Sequence, residues 1–116
     1  MVLRSASGQI VGYLNATPRE GSETTRNWST FRVEHNREEG DVDVRRLAFG
    51  SGLRFRSGVG SCVIDSYATS SGRRYREIAC LVADSSQATV IVAAASPSQW
   101  ARLAPLLERA ISSFTT

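Results

Sequence analysis

Two acidic side chains, Asp65 and Glu77, stand at equal distances on either side of the polar triplet Ser70-Ser71-Gly72, and Tyr67 and Tyr75 stand between them and that triplet. If the triplet closes a hairpin, the two carboxylates face each other on one side of a sheet with the tyrosines beside them. A facing carboxylate pair can do general acid and base work. The same four residues, Asp65, Tyr67, Tyr75 and Glu77, also compose a polar binding face. Like charges directly opposite are otherwise unfavourable, so the preferred expectation is structural, with Arg54 or Arg56 from the adjoining strand neutralising the pair.

The same symmetry governs the two cysteines. A three-residue loop commonly forms a type I turn followed by a left-handed residue, a position for which Gly72 is apt. Thr69 then faces Arg73, and counting back pairs Tyr67 with Tyr75, Asp65 with Glu77, Ile64 with Ile78 and Cys62 with Cys80. A non-hydrogen-bonded antiparallel pair brings the α-carbons to the lower end of the range that a disulfide accepts. Closing a loop of this length contributes roughly 3 kcal/mol in the chain-entropy treatment and implies an oxidising compartment. A four-residue loop would put the cysteines out of line, leaving two buried thiols of a cytosolic protein. Two thiols and one histidine without ligand-like spacing give no metal site.

Other constellations carry less. His35, the single histidine, follows Phe31 by four residues beside Glu34, Glu38 and Glu39, which suits the margin of a core. Nothing in the spacing supplies the nucleophile and orienting acid of a triad. The glycines between Gly50 and Gly60 have neither a Walker lysine nor dinucleotide spacing and read as turns or bulges. Arg45, Arg46, Arg54, Arg56, Arg73, Arg74 and Arg76, with Tyr67, Tyr75 and Phe55, suggest a platform for single-stranded nucleic acid. Strand alternation would send those arginines to both faces of a sheet. Asn15 and Asn27 head glycosylation sequons, which matter only in a glycosylating secretory pathway. No catalytic residue and no cofactor motif is assigned.

The elements that must position these residues follow from periodicity. Residues 9–17 alternate as a strand and Pro18 ends it. Residues 19–40 change period: Ser22 is the expected N-cap, Glu23 favours the positive helix start, and Thr24, Trp28, Phe31 and His35 recur at helical spacing up to a close near Gly40. From Asp41 the pattern is β again through Val42, Val44, residues 47–49, Leu53 and Phe55. Three further strands follow over residues 62–69, 73–82 and 88–95, joined by loops short enough for an antiparallel meander. A terminal helix opens with Ser96 as N-cap, Pro97 at its first position and Gln99 completing a capping box. Its apolar stripe is Trp100, Leu103, Leu107, Ala110, Ile111 and Phe114, and Pro105, on the opposite face, is expected to kink or divide it.

These elements make residues 1–116 a single α+β domain: an antiparallel sheet of about five to six strands backed by one helix from the first half and one at the end. Apolar residues at 41% and charged residues at 22% exclude wholesale disorder, and no apolar run approaches the roughly 20 residues of a spanning helix. All fourteen basic residues are arginine against eleven acids, a net charge of only +3. A GC-rich coding sequence produces such a bias without selection on function. The first six residues lack the basic start, apolar stretch and cleavage site of a secretion signal.

The ending "ATVIVAAASPSQWARLAPLLERAISSF", preceded by the hairpin "SCVIDSYATSSGRRYREIACLV", resembles the Mog1/PsbP-like group of small α+β domains, which includes bacterial lipoprotein members. The resemblance implies a sheet backed by helices and a non-enzymatic role as an adaptor, accessory or envelope-bound module. It transfers no site residues. The expectation is thus a non-catalytic extracytoplasmic interaction domain, secreted or envelope-anchored, whose partner is a protein or cell-envelope component. The alternatives are a small hydrolase or ligand-binding enzyme using Asp65 and Glu77, and a nucleic-acid-binding module.

Overall fold

The Ser70-Ser71-Gly72 turn does set the register. In a computed structural model of the chain, Thr69 and Arg73 close the loop through Thr69 N–H to the Arg73 carbonyl at 2.8 Å, and Gly72 takes the left-handed φ of 88°. The pairs Tyr67 with Tyr75, Asp65 with Glu77, Ile64 with Ile78 and Cys62 with Cys80 all face as the loop length requires. The structure describes residues 2–4, 6–8, 10–19, 21, 23–56, 58–83 and 87–112.

In chain order the elements are β1 (Val2–Arg4), β2 (Ile10–Pro18), α1 (Trp28–Glu38), β3 (Val42–Phe55), β4 (Gly58–Ala68), β5 (Arg74–Ala83), β6 (Ala88–Ala95) and α2 (Pro97–Ser112). The six strands form one antiparallel sheet in the order β1-β2-β6-β5-β4-β3. After the β1-β2 pair, α1 carries the chain across one face to the far edge, and the β3-to-β6 meander brings it back beside β2.

Strand alternation sends apolar residues to both sides, and each side has its own helix. Trp28 of α1 packs with Val63, Ala79 and Leu81 on one face. On the other, Trp100 and Leu103 of α2 pack against Cys62, Ile78, Cys80, Val82, Ile91 and Ala93. The sheet is therefore the middle of three layers. Gly60 shows how tight the second core is: a β-carbon there would lie 2.7 Å from the Leu81 carbonyl oxygen and 2.8 Å from the Phe55 ring.

Several boundaries differ from the sequence expectations. No residue pattern announces β1. α1 begins at Trp28, six residues after Ser22, which lies outside the described residues. The delay has a cause: Thr24 and Asn27 hold a reciprocal turn, each backbone N–H donating to the other's side chain at 2.7 and 3.1 Å. Glu23 accepts from the Gly21 N–H at 2.7 Å instead of acting on the helix start. Asn27, expected inside the helix, stands just ahead of it. The helix closes at Gly40, φ 95°, through Asp41 N–H to the Asn36 carbonyl and Gly40 N–H to the Arg37 carbonyl, both 3.0 Å, the pattern of a Schellman stop.

β3 is one 14-residue strand broken by register shifts, with Gly52 at φ 65° inside one of them. β4 starts at Gly58, ahead of the expected Cys62, because Gly58 and Gly60 lie in the ladder. α2 runs undivided through Pro105, whose ring is exposed. Gln99 accepts from Arg102 at 2.6 Å and the Ser96 hydroxyl meets that of Ser98, so the expected capping box is replaced by local pairs. Phe114 and the side chains of Leu107, Ala110 and Ile111 lie outside the described residues. No helix is long and apolar enough to cross a membrane among the described residues.

Candidate functional site

The four residues singled out on the hairpin all lie on the α1 face, but in two different situations. Asp65 and Glu77 are fully buried beneath α1. Tyr67 and Tyr75 are half-buried beyond its end, where Tyr75 also meets Tyr13 of β2, so that the chain's three tyrosines form one cluster with ring centroids 5.8 and 6.0 Å apart.

The arginine that neutralises the carboxylates is Arg32 of α1, not Arg54 or Arg56 of β3. Those two stand at the far end of β3 and just past it, where Arg54 pairs with Val59. Arg32 donates to both oxygens of Glu77, Nε to Oε1 at 3.0 Å and Nη2 to Oε2 at 3.1 Å, a bidentate fork that fixes the guanidinium plane. Asn36, one helical turn on, donates from Nδ2 to Glu77 Oε1 at 2.9 Å and to Asp65 Oδ2 at 3.3 Å. Positions 32 and 36 share a helix face, and so α1 is pinned to the sheet by one polar stripe while Trp28 pins it by packing. The Trp28 indole N–H donates to the Ala79 carbonyl at 2.8 Å, completing the attachment.

Charge is distributed unevenly within this cluster. Burial, then the charge of Glu77 and a hydrogen bond with it, push the Asp65 carboxyl up to about 9. Burial works against the charge on Arg32, but the hydrogen bonds and charge of Glu77 outweigh it and raise its value. Tyr67 is raised by burial and by Glu77, and Asp41 by burial and by Glu39. Asp65 Oδ1 is buried without a hydrogen-bond partner among the described residues. A proton held on Asp65 relieves the repulsion between the two facing carboxyl groups.

Beside this pin lies an open groove. α1 packs mainly on β3, β4 and β5, while Ala88, Val90 and Val92 of β6 reach the margin of its core and Asn15 and Thr17 of β2 are exposed. Two adjoining hollows of about 300 and 190 Å³ share Thr17, Arg32, His35, Glu39 and Val90. The floor is Asn15 and Thr17 of β2 with Val90, Val92 and Ala94 of β6, and Tyr13 and Tyr67 close one end. Trp28 and Phe31 line the other hollow. Along the wall, His35 stacks on Phe31 with centroids 6.4 Å apart and pairs with Glu39 at 2.9 Å, the core-margin position expected of it. No sequence signal marks this groove, because it is made by what α1 does not cover.

Cys62 and Cys80 are joined by a disulfide on the opposite face, their α-carbons 4.1 Å apart. Among the described residues no group of three or more histidine, cysteine, aspartate and glutamate side chains is placed to hold a metal ion. The residues of the expected arginine and aromatic platform are divided between the two faces. Tyr67 and Tyr75 are on the α1 face, Phe55 is in the core of the other, and Arg45 and Arg74 are both paired with Asp43 at 3.0 Å. That double pairing, with the Arg74 hydrogen bond foremost, holds Asp43 below the usual carboxylate range.

No protein-family model matches the chain, and no curated protein matches it in sequence. A solved structure of PA94 from Pseudomonas aeruginosa, a protein of unknown function, superposes with a TM-score of 0.70 at 9% identity, covering 99% of this chain and 78% of that chain. At that identity the likeness shows the fold alone, a three-layer α+β domain built on an antiparallel sheet.

Proposed function

We propose that this is a non-catalytic, extracytoplasmic interaction domain that receives a segment of a partner protein in the groove over β2 and β6. The observation that carries the reading is the half-covered α1 face. A floor of polar β2 and aliphatic β6 side chains, walled by a helix and ended by tyrosines, is the kind of concave, partly apolar surface at which ligands bind. The disulfide supports an oxidising compartment. The resemblance to Mog1/PsbP-like domains points the same way, towards accessory and envelope-bound roles. Asp65 and Glu77 are read as structural, since both oxygens of Glu77 are held by Arg32 and neither carboxyl group is exposed.

Site-specific photo-crosslinking in the native host tests this. A crosslinking residue at exposed Thr17 on the groove floor is expected to yield one discrete protein adduct, which the Asn15→Trp variant diminishes. The same residue at exposed Glu108 on α2 is expected not to yield it. Indistinguishable adduct patterns from the two positions would remove the groove as the binding surface.

A further inference from the structure

At the opposite edge of the sheet from β1, β3 offers its outer side to no other strand. Edge strands are ordinarily shielded from foreign strands by charge, bulges or shortness. β3 has bulges and arginines, but it is 14 residues long and carries large apolar side chains in the open: Phe49 is 62% exposed, Leu47 48% and Leu53 39%. Next to it, on the α2 face, lies an apolar hollow of about 240 Å³ lined by Ala48, Gly50, Leu53, Cys62, Ile64 and Ile78. A surface of that character marks an interaction site more often than a neutral exterior.

We propose that the β3 edge is a docking edge for an extended, acidic segment of a partner protein carrying apolar residues at alternate positions, which adds to the sheet as a seventh strand. The occupant follows from charge. Arg45, Arg46 and Arg54 lie on the strand and Arg56 just beyond it, against one acid, Asp43, which Arg45 and Arg74 already hold at 3.0 Å. Arg54 and Arg56 have no ion-pair partner among the described residues. The Arg46 guanidinium lies 4.7 Å from the centre of the Phe49 ring, with one hydrogen bond to Ser29 at 3.3 Å, and so presents charge and ring together at the edge.

That pattern also argues against a second copy of this chain as the occupant. Antiparallel self-pairing about Gly50 would set Arg46 opposite Arg54, and like charges directly opposite are destabilising. A strand with glutamate or aspartate at those positions meets both arginines favourably, while its other face reaches the hollow over Ile64 and Ile78. The register shifts between Arg46 and Ala48 and between Gly50 and Leu53 belong to the ladder with β4, on the inner side of the strand. This edge is separate from the α1 groove.

Nuclear magnetic resonance titration of the intact domain distinguishes the possibilities. The probes are a synthetic peptide alternating glutamate with valine and phenylalanine, and the same peptide with lysine for glutamate. The acidic peptide is expected to shift amides between Val42 and Phe55 and to bind more weakly as salt rises. The Arg46→Glu/Arg54→Glu variant, checked for native fold by its own spectrum, is expected to bind the acidic peptide about tenfold more weakly or worse and to gain affinity for the lysine peptide. The inference is overturned if both peptides bind alike, if the shifts map to β2 and β6 instead, or if no binding occurs at millimolar peptide. Concentration-dependent dimerisation through β3 in the unmodified chain would equally overturn it. Each of these results leaves the crosslinking test of the groove untouched.

Discussion

Asp65 holds a proton where an ordinary aspartate has lost it, and the neighbours that cause this are named by the geometry. Glu77 faces it across the ladder, Arg32 engages Glu77 rather than Asp65, and Asp41 and Tyr67 add no positive charge. In the unfolded chain the group has its usual value of about 3.9. Folded, it lies near 9, so between those pH values the native state keeps a proton that the unfolded state releases. Its contribution to stability is full below about pH 4, declines as pH rises and is gone by about pH 9. The Asp65→Asn variant places an amide of the same shape there, a hydrogen donor at every pH. Urea unfolding from pH 5 to 9 is therefore expected to show the parent losing stability relative to D65N as pH rises. Parallel profiles would mean that Asp65 is ionised in the folded protein. The facing of Asp65 and Glu77 was legible in the sequence because a three-residue loop fixes a register. The identity of their arginine was not, since Arg32 is 45 residues from Glu77 and reaches it only once α1 has crossed the sheet.

At the scale of elements, the β4-β5 hairpin and α1 stand at opposite ends of what local sequence determines. The hairpin is specified by its turn, its alternation and its facing cysteines, and the disulfide spans a separation of 18 residues. Protein isolated from its native source is expected to show no alkylated thiol until reductant is added. The Cys62→Ala/Cys80→Ala variant is expected to lose roughly 3 kcal/mol of unfolding free energy by denaturant titration. Two freely alkylated thiols in the isolated protein would defeat the compartment argument. α1, in contrast, starts where Thr24 and Asn27 release the chain, a competition between a local polar turn and a helix cap that propensity does not decide. Its position rests on long-range partners: Trp28 at 1% exposure, Arg32 and Asn36. Burial on this scale outweighs capping, as truncating a buried tryptophan in a core costs about 3–5 kcal/mol.

For the whole molecule, α1 lies mainly over β3, β4 and β5 on one face and α2 mainly over β5 and β6 on the other, so the two less covered halves lie diagonally across the sheet. The half over β2 and β6 is a walled groove with polar margins, whereas that over β3 and β4 is apolar and ends in an arginine-rich edge. Periodicity placed the strands and both helices along the chain without showing which helix lies on which face, because that choice is made by contacts distant in sequence, Trp28 with Ala79 and Trp100 with the Cys80 cluster.

The return of the meander to β2 has a kinetic consequence. β3, β4, β5 and β6 each pair with a neighbour adjacent in the chain, but β2 meets β6 across most of the chain's length, Thr17 beside Val90 and Gly12 beside Ala95. Long loops must close before such a contact contributes, so the meander should assemble first and the β1-β2 ribbon should join last. In the native state the ribbon is then the unit that opens most readily. Hydrogen exchange under native conditions is expected to release the amides of β1 and β2 by partial opening while those of β4 and β5 exchange only with global unfolding. Uniform protection across all six strands would show that the sheet opens as one cooperative body.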